Sequence, residues 1–360
     1  MSTRVYLDWN ATAPLRAEAR AAMLAAFDAV GNPSSVHAEG RAARALVERA
    51  REDVAALVGC LSREVVFTSG ATEAAGVLGA CPEGHGLLVE ETAHDALWSH
   101  ARIVDRVARP EGPGHTLAMG LANGETGIVS PLPEKDDGQW VFGRARAQRL
   151  LLDVTQAVGR VPFAFGWSGA DFALLSAHKI GGPKGVGALI VRDGAEIAAL
   201  QTGGGQEMGR RSGTENVVGI AGFGAAARAA LAELDAGVWD AVAERRDGFE
   251  ARIAAAAPNT ICVGKDARRL PNTSCLLTPG WKGETQVMQM DLAGFAISAG
   301  SACSSGKVRA SRVLQAMGYD AVSAASAIRV SIGPATTDDE IERFAAAWIA
   351  AADRHAARAA

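Results

Sequence analysis

Apolar positions recur at two different spacings along this chain, and the alternation between them is its strongest structural signal. Arg16 to Phe27 and Ala38 to Val58 carry apolar residues at helical spacing, whereas Glu64-Val65-Val66-Phe67-Thr68, Leu87-Leu88-Val89 and Leu150-Leu151-Leu152 are short continuous β-rich runs. That rhythm predicts a mostly parallel sheet covered by helices, because such runs suit strands buried on both faces. Gly185 to Arg192 reads as another buried strand and Asn216 to Leu234 as a long Ala-rich helix. From about Ala241 the pattern shifts to a helix, strands over 260–263 and 273–277, a helix over 284–292, and strands over 295–298 and 327–332. A last helix starts near the capping-type Thr337-Asp338-Asp339-Glu340. The expected fold is α/β, with a large domain over 15–245 and a smaller α+β domain over 1–14 and 246–360.

Length and composition narrow the function. The 360 residues are 48% hydrophobic and 21% charged, enough for one large or two moderate cores. A net charge of -4 without a basic run argues against nucleic-acid and membrane partners, which need clustered Lys and Arg, and for a small-molecule substrate. The N-terminus has no apolar leader, and no run of about 18 uncharged apolar residues occurs, so a cytoplasmic location is expected. Five cysteines at irregular positions form neither a disulfide framework nor a metal-ligand pattern, and no metal site is expected.

Several segments carry candidate chemistry. In Ser176-Ala177-His178-Lys179-Ile180-Gly181-Gly182-Pro183-Lys184, an amine, an imidazole and a hydroxyl follow the apolar run Phe172 to Leu175. A buried lysine beside another potential cation can become a carbonyl nucleophile, while Ser176 and His178 hold an anion such as a cofactor phosphate. The plainer reading is a strand exit with two solvated lysines. Thr68-Ser69-Gly70-Ala71-Thr72-Glu73 turns from a strand into a helix whose N-terminus suits phosphate, or is an ordinary N-cap. Asp153, after Leu150 to Leu152, suits a pyridinium N–H at a sheet's carboxyl edge, with Gln156 as a donor to a phenolic oxygen; alternatively Asp153 is a helix N-cap.

His94 follows another β-run and suits stacking on a planar cofactor. Cys303, in Gly300-Ser301-Ala302-Cys303-Ser304-Ser305-Gly306, is the best candidate nucleophile, while Cys60, Cys81, Cys262 and Cys275 read as small core residues. Arg329 points away from the face shared by Ile328, Val330 and Ile332; it suits a substrate carboxylate or an edge-strand salt bridge.

Taken together, Tyr6-Leu7-Asp8 with Asn10-Ala11-Thr12, Gly31-Asn32-Pro33-Ser34-Ser35, Thr68 to Glu73, Asp153 to Gln156, Ser176 to Gly185, Gly203 to Glu207 with Arg211 to Asn216, and Gly300 to Cys303 resemble the NifS/IscS-type cysteine desulfurases. These belong to the class V aminotransferase group of fold-type I pyridoxal phosphate enzymes, and the resemblance covers nearly the whole chain. It implies that Lys179 forms the Schiff base with pyridoxal 5'-phosphate, Asp153 pairs with the pyridine nitrogen, Gln156 bonds the phenolic oxygen and His94 stacks on the ring. Thr72, Ser176 and His178 would bind the phosphate, Ala71 and Asn123 would be further cofactor contacts, and Thr214 would reach the neighbouring subunit's cofactor in a homodimer.

By the same resemblance, Asn32 and Arg329 would hold the carboxylate of L-cysteine and Cys303 would take its sulfur as a persulfide. The sulfur would pass to an acceptor protein, commonly an iron-sulfur scaffold. The chain departs from the family pattern at Gly124, where a second asparagine is usual, at Gly76, and in a shorter stretch between His94 and Asn123 that leaves only the turn Pro110 to Gly114. It also stops soon after the helix that starts near Thr337. Rival readings are another class V activity, such as selenocysteine lyase or transamination, and a weakly active relative serving as a binding partner. A cysteine hydrolase would leave the Lys179 segment without a purpose.

Overall fold

The computed structural model describes residues 4–81, 85–101, 114–143, 145–300 and 310–359. They form two units, a larger one of Pro14–Leu121 with Ser130–Asp235, and a smaller one of Met1–Ala13, Ala122–Val129 and Ala236–Ala360. Residues 122–129 and 236–245, read from the sequence as part of the large domain, group with the smaller unit. The reason is local pairing: Val129 N–H donates to Arg268 O (2.8 Å) and Leu270 N–H to Gly127 O (2.7 Å), while the helix Val238–Ala256 packs on the helix Asp338–Ala359.

The larger unit is built on a six-stranded sheet. Its strands are β1 (Val65–Thr68), β2 (Gly86–Val89), β3 (His115–Gly120), β4 (Arg149–Asp153), β5 (Phe172–Ser176) and β6 (Gly187–Val191), in the spatial order β1-β6-β5-β4-β3-β2. The pairs from β5 to β2 are parallel, and β6 runs antiparallel to both of its neighbours. Leu151, Leu174 and Leu189 are wholly buried, each contributing about 1.5–3 kcal/mol on leaving water.

The helix Val217–Asp235 is long and apolar enough to cross a membrane, yet more than half of its apolar window is buried and it packs on the helices Ala17–Ala26 and Ala38–Val58. A Cβ on Gly224 would lie 2.5 Å from Ala50 Cα, so glycine permits the close approach. One element went unread in the sequence: Glu134–Asp136, Gln139–Phe142 and Ala145–Ala147 form an antiparallel meander. Its signal was the dipeptide Asp137-Gly138, both residues with positive φ (48° and 73°), as a two-residue hairpin turn requires.

In the smaller unit, β7 (Ile261–Cys262), β8 (Thr273–Leu277), β9 (Ser298–Ala299) and β10 (Ala327–Ser331) form an antiparallel sheet in the order β7-β8-β10-β9. The expected strand over 295–298 divides instead: Phe295–Ala296 pairs with Val5–Tyr6, and the chain then crosses to β10 as β9. The capping signal at Thr337 is realised, since Thr337 N–H donates to Glu340 Oε2 (2.8 Å) and Glu340 N–H to Thr337 Oγ1 (3.3 Å).

Candidate active site

Strand register places most candidate residues of the larger unit on one edge of its sheet. Thr68, ending β1, pairs with Gly187, starting β6, and Gly187 pairs with Ser176, ending β5. On the other side of β5, Leu174 pairs with Asp153, the last residue of β4. The turn after β1, Asp153 with Gln156, and the loop from Ser176 to Lys179 therefore share the carboxyl edge of the parallel strands, where open α/β sheets hold ligands. His94 follows β2 at the same edge.

Lys179 ends a 3-10 turn over Ala177–Lys179. It is half-buried while Lys184 is exposed, so only one of the two is solvated as the plainer reading of this segment expects of both. The turn is held from two directions. Arg160 Nη2 donates to Lys179 O (3.0 Å), and Arg16 donates from Nε to Ile180 O (2.7 Å) and from its backbone N–H to Gly181 O (2.9 Å). Gly181 has φ 82°, and a Cβ there would run into the Arg16 side chain.

Ala71–Ala74 forms one helical turn that continues as a 3-10 turn to Leu78, shorter than the helix expected from the sequence. A Cβ on Gly187 would lie 2.6 Å from Gly70 Cα, and one on Gly70 would lie 3.4 Å from Ser176 Oγ. Glycine at both positions thus brings the backbone before Ala71 against the Ser176 hydroxyl. Thr72 is exposed and Ala71 half-buried. Burial, then Lys179 and Lys184, depress the His178 pKa to about 4, so at neutral pH the imidazole offers a neutral N–H rather than a positive charge.

Asp153 Oδ1 accepts from Thr155 N–H (2.9 Å). The residues after it form turns, so the carboxylate closes an Asx turn and does not cap a helix. Gln156 Oε1 accepts from Arg160 Nη1 (2.7 Å), which makes the NH2 end the donor end of the carboxamide. His94 Nδ1 accepts from Ala96 N–H (3.1 Å), so a neutral ring carries its proton on Nε2. Asn32 is exposed, with its Oδ1 taking Ser34 N–H (2.9 Å), and Thr214 is exposed.

In the smaller unit, Arg329 lies on β10 between β8 and β9, in a central strand and not the edge strand considered from the sequence. Its Nη2 donates to Asp8 Oδ1 (2.7 Å) and its Nη1 to Gly124 O (3.0 Å), while Nε is buried with no hydrogen-bond partner among the described residues. Asn10 Nδ2 reaches the same Gly124 carbonyl (3.1 Å), so Gly124 serves through its backbone. Asn123 Oδ1 receives Glu125 N–H and Thr126 N–H (both 2.9 Å) and shapes the turn around them.

Cys303 and the turn Pro110 to Gly114 lie outside the described residues, Gly114 apart. Of the other four cysteines, only Cys275 is fully buried; Cys60, Cys81 and Cys262 are half-buried, less than the core placement expected. Burial nevertheless pushes the Cys60 and Cys262 thiols up to about 12, which makes both poor nucleophiles. Among the described residues no acidic, His and Cys group has metal-ligand geometry. Arg16, Arg160 and Asp8 were missed as supports; Arg160 stands four residues after Gln156, the only local hint.

Residues 5–101 and 115–344 match the family described as Aminotransferase class-V. The chain belongs to the class V aminotransferase family. A cysteine desulfurase from Frankia sp. (strain EuIK1) is 41% identical over 95% of this chain and 89% of its own length, and one from Cereibacter sphaeroides is 38% identical over 95% and 94%. The X-ray structure of a NifS-like protein from Rickettsia africae ESF-5 covers 96% of this chain and 98% of its own, with a TM-score of 0.84 and 28% identity. The family is pyridoxal phosphate-dependent and of fold-type I, as the resemblance implied.

The sheet edge suits that cofactor. A phosphate needs clustered donors, and a helical turn, two hydroxyls and a neutral imidazole stand near one another in the register. A ring nitrogen that must stay protonated needs a carboxylate, and Asp153 ends β4 at that same edge.

Proposed function

We propose that the chain is a pyridoxal phosphate-dependent cysteine desulfurase that converts L-cysteine to L-alanine and leaves the sulfur as a persulfide on Cys303. The observation that carries this reading is the register that sets Ser176, Asp153 and the turn after β1 at one edge, with Lys179 half-buried beside them. When bound, the cofactor supplies an electron sink beside the substrate Cα.

The chain supplies the rest. Lys179 Nζ holds the cofactor and then moves the proton at Cα; Asp153 keeps the ring nitrogen protonated; the Gln156 NH2 donates to the phenolic oxygen. Ala71, Thr72, Ser176 and His178 hold the phosphate, His94 stacks on the ring, and Asn123 adds a contact. Arg329 and Asn32 bind the substrate carboxylate; the buried Arg329 Nε, with no acceptor among the described residues, supports that role. The Cys303 thiolate would form the new S–S bond as the substrate C–S bond breaks, the C–S electron pair staying with the substrate carbon, which takes a proton to become the methyl group of alanine.

The enzyme works as a cytoplasmic homodimer in which Thr214 reaches the neighbouring subunit's cofactor. The exposed apolar side chains Leu24, Phe27, Val30 and Val36, close along the chain, support a second copy as partner, and the unbridged thiols of Cys60, Cys262 and Cys275 suit a reducing compartment. The persulfide passes to an acceptor protein such as an iron-sulfur scaffold.

The test is the absorption spectrum of the purified protein, followed by alanine and sulfide release from L-cysteine beside a Cys303→Ala variant. A yellow protein whose sulfide release requires Cys303 is expected. Undiminished turnover in Cys303→Ala would assign another class V reaction, and a colourless protein that takes up no cofactor would overturn the reading.

A further inference from the structure

We infer that Glu207 is a positioning residue for the cofactor-phosphate turn and for the segment that carries Thr214, an inference that rests on the function proposed above. Glu207 and Met208 both have left-handed backbone, with φ of 50° and 57°. Two successive non-glycine residues hold that conformation only where their surroundings impose it.

Here the Glu207 carboxylate imposes it. It receives Arg51 Nη1 and Nη2 at 2.7 and 2.8 Å, and Oε2 also takes the Phe67 N–H at 2.8 Å. The two side chains are almost wholly buried, 7% exposed for Arg51 and 2% for Glu207. Arg51 Nη1 donates as well to Val65 O (2.8 Å), and its guanidinium lies 4.9 Å from the Phe67 ring centroid. Val65 and Phe67 belong to β1, the strand that feeds the phosphate turn.

A second tie runs the other way. Arg211 Nε donates to Glu73 Oε1 (2.9 Å), and Glu73 Oε2 takes the Ser69 N–H (2.7 Å). Residues 207–211 are therefore clasped to residues 67–73 at both ends, three residues before Thr214. A cleft of about 760 Å³ opens beside the buried pair, also lined by Arg44, Arg63, Glu48 and Glu215. Its mixed charges select no one ligand, and the clasp needs none.

The pair Arg269–Glu250 provides the control, since it is equally bidentate (2.7 Å twice), equally buried and in the other unit. Glu207→Gln and Glu250→Gln are each stripped of cofactor and titrated with pyridoxal 5'-phosphate, following the visible band and its induced circular dichroism, with melting temperature measured in parallel. Both variants should melt lower, but only Glu207→Gln should loosen the cofactor, by about tenfold or more, and alter its dichroism. Arg51→Lys, which cannot form the bidentate pair, should loosen it likewise and serves if Glu207→Gln does not fold. Wild-type affinity in Glu207→Gln or Arg51→Lys, or equal loosening in Glu250→Gln, overturns the inference while the proposed function stands. A wild-type chain that binds no cofactor overturns both.

Discussion

The sheet edge of the larger unit and the Arg329 region of the smaller one offer hydrogen-bond donors by opposite means. At the sheet edge, donors come from strand ends and from backbone that two glycines bring close, and His178 among them, its pKa depressed to about 4, carries no charge at neutral pH. At Arg329 one permanent cation, on a central strand, is already paired with Asp8 through a 2.7 Å hydrogen bond. A site spread over backbone donors loses little when one side chain changes, whereas a site resting on one guanidinium fails with it. At the sheet edge the heaviest loss belongs to the residue that does covalent work.

Lys179→Ala is therefore the largest expected effect. It should reduce alanine formation by about three orders of magnitude or more and abolish the visible band, while circular dichroism shows the fold intact. Arg329→Lys comes next. Loss of bidentate, charge-assisted bonds, about 1.5–3 kcal/mol, should raise KM for L-cysteine roughly 10- to 100-fold with the cofactor spectrum unchanged. If the spectrum moves too, the two regions are not separable in the way described.

A smaller effect belongs to Arg160→Leu. It removes the donor to Lys179 O and to Gln156 Oε1 together, so kcat should fall about tenfold with KM nearly constant, checked by steady-state kinetics. A change confined to KM would place Arg160 in substrate binding instead.

The smallest concerns His178. Its folded pKa of about 4 lies below the ordinary 6.5, so between those values the unfolded chain binds more protons. The stability tied to this group is complete above about pH 6.5, is lost as pH falls toward 4, and changes no further below. The melting temperature of the cofactor-free protein should drop more steeply over that window than in His178→Asn. Parallel curves would mean that the imidazole is not neutral in the fold.

Much of this was legible along the chain. Leu150 to Leu152 and Phe172 to Leu175 announced buried strands because an unbroken apolar run needs both faces covered, and Thr337 with Glu340 announced a helix start that the hydrogen bonds bear out. Asp153 and Ser176 were found because each follows such a run directly, and Lys179 because it stands in the loop that Ser176 opens. Asp137-Gly138 was equally legible as a hairpin but was passed over in favour of the surrounding helix-and-strand rhythm.

What sequence determined by itself, then, is whatever depends on residues two to four positions apart: periodicity, caps, turns, and the small-residue and charged motifs at strand ends. Tertiary structure decided the rest. It chose which of two lysines is half-buried, split the run from Phe295 to Ser298 between two sheets, and moved residues 122–129 to the smaller unit. It also paired Arg329 with Asp8, 321 positions away, and Glu207 with Arg51, 156 positions away. An ion pair across such a separation depends on the path of all the chain between its members, and no local spacing records that path.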